Sequence, residues 1–104
     1  MRRAAKVDAN QPAIVAALRK AGASVGLLHS VGGGCPDLVV GYRDPATGLR
    51  ECVLVEVKDG SKPPSARKLT EDQEDWHAAW RGRPVAVVET VEDALRVIGV
   101  EGAS

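Results

Sequence analysis

The chain has 104 residues, 44% of them hydrophobic and none of them Phe, and its 14 Lys and Arg are balanced by 14 Asp and Glu. That is one small domain with a core of Val, Leu, Ile and Ala, and the neutral total lacks the basic signature of a strong non-specific DNA binder. Cys35 and Cys52 are too few and too far apart for a disulfide framework or a zinc site, and no apolar stretch suits a signal peptide or a membrane span, so a reduced, cytoplasmic protein is expected.

Met1 to Lys6 is basic and reads as a loose end. From about Asn10, residues Ile14, Ala17, Leu18 and Ala21 recur at helical spacing, with Pro12 tolerable in the first turn and Gly22 at the stop. Asp8 or Asn10 is a candidate cap, and Asn10 keeps Pro12 nearest the start. Ser24 to His29 reads as a short strand, followed by the run Gly32-Gly33-Gly34 and a second strand from Asp37 to Tyr42. Asp44-Pro45-Ala46-Thr47-Gly48 is a turn cluster, and Arg50 to Lys58 a third strand, which together suggest an antiparallel meander.

Asp59 to Lys68 is a polar loop. Thr70-Glu71-Asp72-Gln73 has capping-box spacing, and the helix it opens runs to about Arg81. Val85 to Val88 is a short apolar strand, after which Thr90 caps a last helix bearing Val91, Ala94, Leu95 and Ile98. The expected order is α-β-β-β-α-β-α in a single α/β domain, residues 1–104, with a mixed central sheet flanked by helices.

The chemistry concentrates where the strands end. Glu56 and Lys58 follow the apolar run Cys52-Val53-Leu54-Val55, and alternation along a strand puts both on one face. Asp37 opens the preceding strand. Two converging carboxylates and a lysine suit magnesium-dependent phosphodiester hydrolysis: the carboxylates and the Val57 carbonyl as ligands, Lys58 to hold the attacking water and offset phosphate charge. The bland alternative is a Glu56–Lys58 pair closing a strand. Gln73 is divided between capping its helix and reaching the site. Lys62, Ser65, Arg67 and Lys68 lie on a loop that suits either phosphate contacts or plain solvation. The glycine run reads as a tight turn ahead of a phosphate cradle, His77 as a surface residue within reach of the site, and Trp76 and Trp80 as core or dimer contacts ahead of base stacking. Cys35 has no paired base to make it a nucleophile. The acids Asp72, Glu74 and Asp75 suit the helix start and would repel DNA there.

Gly34-Cys35-Pro36-Asp37-Leu38, Leu54-Val55-Glu56-Val57-Lys58-Asp59-Gly60, Ser65 to Leu69 and Thr70-Glu71-Asp72-Gln73 together resemble the PD-(D/E)XK nuclease superfamily. Within it they are most similar to the small VRR-NUC-like nucleases of phages and prophages, over about Asn10 to Val88. The resemblance implies a restriction-endonuclease-like core, with Asp37 and Glu56 binding Mg²⁺ or Mn²⁺, Lys58 as catalytic lysine and Gln73 as the glutamine of the next helix. It also implies a homodimer acting on DNA, with some relatives resembling Holliday junction resolvases. Many relatives carry a glutamate on the first helix. Here that helix offers Asn10 and Gln11 as accessory groups, which leaves room for a catalytically weak DNA-binding or assembly subunit. A nucleotide-binding domain built on the glycine run lacks the flanking P-loop pattern.

Overall fold

The computed structural model describes residues 7–100; Met1 to Lys6, read above as a loose end, lie outside the described residues. The elements are α1 (Gln11–Lys20), β1 (Ser24–Leu27), β2 (Leu38–Arg43), β3 (Arg50–Val57), α2 (Glu71–Ala79), β4 (Ala86–Val88) and α3 (Val91–Val97), with a 3₁₀ turn at Pro64–Arg67. This is the expected α/β order. The sheet runs β1-β2-β3-β4; β1, β2 and β3 form the antiparallel meander, and β4 joins β3 in parallel after the α2 crossover.

Strand alternation gives the sheet two unlike faces. Leu38, Val40, Val53, Val55, Val57 and Val88 point to one face and are buried with Ile14, Val15 and Leu18 of α1 and Ala94 of α3. Each such aliphatic side chain contributes roughly 1.5–3 kcal/mol when fully buried. The opposite face carries Val39, Leu54, Cys52, Glu56 and Val87, and it is more open: Cys52 is exposed and Val87 is 46% exposed. Glu56 therefore projects away from the main core, yet it is only 1% exposed because α2 and its neighbours close over it.

Several expectations change at the element ends. β1 stops at Leu27, short of His29: the Leu28 amide still makes a ladder bond to the Asp37 carbonyl at 2.7 Å, and the chain then turns as the Val31 amide bonds back to the Leu28 carbonyl. Asp37 and Lys58 lie just outside their strands. Asn10 holds the N-cap position of α1, but its side chain makes no capping bond. Its amide instead donates to the Lys58 carbonyl at 3.1 Å and the Glu89 carbonyl at 3.0 Å, bridging the two chain segments where the parallel strands end.

Of the two roles expected for Trp76 and Trp80, core or dimer contacts, the core role is overturned. No residue of α2 is buried, Trp76 is half-buried and Trp80 is 43% exposed. The helix is fastened through polar groups, so its aromatic face is left over.

Candidate active site

One step beyond the Leu38–Val55 pair, antiparallel register sets Asp37 opposite Glu56 on the open face. Asp37 is fixed there by its own Oδ2, which accepts the Val57 amide at 2.7 Å. Val57 thus enters the site through its backbone while its side chain fills the core. Lys58 is also buried, 8% exposed, and its Nζ donates to Gln73 Oε1 at 2.7 Å. Its own amide bonds to the Val88 carbonyl at 2.9 Å, which ties the lysine to the end of β4.

Gln73 combines the roles that sequence left as alternatives. Its amide donates to Thr70 Oγ1 and its Oε1 accepts the Thr70 amide, which completes the capping box. The same Oε1 accepts Lys58, and its Nε2 donates to Glu56 Oε2 at 3.3 Å. An amide can do this because it carries an acceptor with two lone pairs and a donor with two hydrogens. The helix cap and the site share one side chain.

His77 joins the cluster, with Nε2 3.1 Å from Glu56 Oε1. The surface role preferred for it is overturned: one turn after Gln73, it falls on the same helix face and turns inward. The electrostatics of this contact follow from burial. Desolvation and then the facing Asp37 carboxylate push the Glu56 carboxyl up to about 9, with Lys58 pulling the other way. Burial, then Lys58, pull His77 below its ordinary value. At neutral pH the contact is thus a hydrogen bond between neutral groups and not an ion pair. Asp8 adds to the upward push on Glu56 from the turn before α1. Sequence weighed Asp8 only as a cap. Its residue type and its place beside the first helix were the available signal.

The glycine run has a packing reason. Gly34 has φ +86°, and a Cβ there would run into the Asp72 carbonyl and lie 3.0 Å from the Gln73 amide. The loop therefore presses backbone to backbone against the first turn of α2, which holds Gln73 over the site. Cys35, beside it, has a thiol pushed up by burial and by the charges of Glu56 and Asp37, the reverse of an activated nucleophile.

The other expected residues are placed less centrally. Gln11 is 3% exposed with Oε1 unpartnered, and it lines a cavity of about 320 Å³ with Val15, Leu27 and His29. Asn10 Oδ1 is likewise buried without a partner, close behind the Lys58 backbone. In the basic loop, Lys62 is 3.6 Å from Asp8 and Arg67 is 2.9 Å from Glu89, so both cations are engaged within the molecule. Ser65 and Lys68 are exposed.

Among the described residues no cluster of three or more Asp, Glu, His and Cys is arranged as a metal cage. Asp37 and Glu56 nonetheless form an oxygen pair of the kind Mg²⁺ takes from proteins, one or two carboxylates completed by water and phosphate. A carboxyl whose pKa is raised by burial and by a facing carboxylate is also what a cation would relieve. The chemistry of the donor set fits a hard divalent ion. Compared with models of protein families, with curated proteins and with solved structures, the chain matches none.

Proposed function

We propose that this chain is a divalent-metal-dependent DNA endonuclease that hydrolyses phosphodiester bonds, acting on branched, flapped or four-way DNA. The observation that carries the reading is the convergence of Asp37, Glu56 and Lys58 at one end of the sheet, with Gln73 bridging Glu56 and Lys58. A burial this costly for two ionisable side chains on the open face serves little in stability and much in chemistry.

Asp37 and Glu56 would hold Mg²⁺ or Mn²⁺, with the Val57 carbonyl as a further oxygen. When bound, the ion supplies an acidified water and charge relief at the phosphate. Lys58 Nζ, aimed by Gln73 Oε1, holds the attacking oxygen in line and offsets charge building on the phosphorus. His77 and Gln73 Nε2 fix the two Glu56 oxygens, so the carboxylate keeps one orientation when it loses its proton. Ser65 and Lys68 lie free on the loop for backbone phosphates. A homodimer in the cytoplasm would supply paired nicks, symmetric dimers being the commonest assembly. Among the described residues no helix is long and apolar enough to cross a membrane.

A second reading, a weak catalyst serving as a DNA-binding or assembly subunit, is favoured by one observation. The start of the first helix brings the Asn10 amide behind the Lys58 backbone, and no acid of that helix joins the site.

The test is cleavage of labelled linear, flapped and four-way DNA with Mg²⁺, Mn²⁺ or EDTA, beside Glu56→Ala and Lys58→Ala. The expected result is metal-dependent cleavage that falls by roughly 10²-fold or more in either variant. Cleavage that survives in both variants rules out this site; metal-independent binding without cleavage selects the subunit.

A further inference from the structure

Two tryptophans, Trp76 on α2 and Trp80 at its C-cap, are not consumed by the fold. Their rings stack at 5.1 Å between centroids and 19° between planes, and with Ala79 they line a cleft of about 270 Å³. Trp80 is also braced by the backbone: a Cβ on Gly82 would sit 2.8 Å from its indole Nε1. An exposed indole stacked on a second indole and braced by a glycine is a preorganised flat surface, with little rotamer entropy left to lose on contact.

Its position says what would cover it. Trp76 and His77 lie three and four residues after Gln73, and Trp80 four after Trp76, so the aromatic pair borders the helix face that holds Glu56. One helical turn is about 5.4 Å, close to the reach of a neighbouring nucleotide. Charge along this segment is graded. Glu71, Asp72, Glu74 and Asp75 crowd the first turns, whereas Arg81 lies exposed just beyond Trp80; Arg83, past Gly82, is engaged with Tyr42, donating to its hydroxyl and lying over its ring. The acidic turns repel a second phosphate backbone, so a continuous duplex lies poorly along α2. A single strand can turn its bases to the indoles and a phosphate to Arg81.

We propose that Trp76 and Trp80 are a stacking platform for an unpaired nucleobase next to the scissile phosphate, which makes DNA with a single-stranded segment at the cleavage point the preferred substrate. This rests on the nuclease reading above. Stacking is sequence-tolerant, because every base has a π face, so the platform selects strand state and not sequence.

Trp76 and Trp80 are the only tryptophans in the chain, so intrinsic tryptophan emission reports on the platform alone. The full chain in EDTA is titrated with a labelled single-stranded thymidine oligomer, an abasic strand of equal length and a duplex. Binding is followed by anisotropy and stacking by quenching. The single strand is expected to quench the emission and the abasic strand to bind without quenching. Trp80→Ala is expected to weaken single-strand binding roughly 5- to 150-fold, with duplex binding changed less than about twofold and Trp80→Phe restoring most of the loss. Neither substitution removes a buried residue, and circular dichroism checks that both variants fold.

Single-strand binding without quenching, or equal losses for single strand and duplex, overturns the platform. So does emission that changes on dilution of the free protein together with a dimer abolished by Trp80→Ala, which would make the occupant a second copy. If metal-dependent cleavage requires Lys58 and flapped and linear duplexes are cut alike in wild type and Trp80→Ala, the platform fails alone. If no DNA is cut or bound, the nuclease reading fails and the platform with it.

Discussion

Replacing Glu56 with Gln asks whether the site is built around a buried proton that a metal would displace. The carboxyl is 1% exposed, faces Asp37 and is raised to about 9 from an ordinary 4.5 in the metal-free protein. Between those values the native state binds one more proton than the unfolded chain, so the contribution of this group is complete below the ordinary value and is lost as pH rises to about 9. The loss runs at up to about 1.4 kcal/mol per pH unit, or at most about 3 kcal/mol between pH 6 and pH 8. Gln has nearly the same shape and no proton to lose, so Glu56→Gln is expected to be flat over that interval apart from changes common to both proteins. His77, whose value is lowered, acts in the opposite sense near its ordinary 6.5 and is present in both. Urea unfolding in EDTA at pH 6, 7 and 8 measures the difference in slope. Adding Mn²⁺ should then stabilise the wild type, more at pH 8 than at pH 6, by about 2.7 kcal/mol at a hundredfold excess over Kd, and leave the variant unchanged. Parallel pH profiles for the two proteins would refute the buried proton, and equal stabilisation by Mn²⁺ would refute Glu56 as a ligand.

Gly34→Ala and Gly33→Ala separate backbone strain from close packing. Both positions have positive φ, but only Gly34 is pressed against Asp72, while a Cβ on Gly33 meets nothing within 4 Å. Gly33→Ala should cost about 1–2 kcal/mol, and Gly34→Ala clearly more, with a further drop in cleavage as α2 is displaced; equal melting temperatures would contradict the packing. At Asn10, loss of the amide bonds to Lys58 and Glu89 should cost about 1–3 kcal/mol in Asn10→Ala, read by urea unfolding. Asn10→Asp should be worse still, because it sets an acceptor against two carbonyls; if Asp proves as stable as Asn, the residue is an ordinary helix cap.

The strands were legible because alternation is a local property: Leu38, Val40, Val53 and Val55 announce one buried face. So were both threonine caps, since Thr70 and Thr90 act on amides three residues ahead. Asn10 misled because a cap-forming residue was drawn instead to carbonyls 48 and 79 positions away, a demand that arises only once the sheet is assembled. His77 and Trp76 occupy adjacent positions of α2, and spacing alone does not say which turns toward Glu56. The contact depends on where the first turn of α2 seats, and the close backbone approach of Gly34 to Asp72 bears on that. The Gln73 ambiguity was of another kind: both alternatives hold at once, and no spacing rule anticipates a side chain that serves two structures.

That double service sets the lifetime of the assembled site. α2 is nine residues long and contributes no buried residue, so it belongs to the part of the molecule with the smallest free energy of local opening. When its first turn frays, the cap, the Lys58 contact and one Glu56 contact are released in a single event. Amide exchange at Gln73 and competence of the site should therefore follow one opening equilibrium, well below global unfolding, and any ligand that fastens the far end of the helix would slow both together.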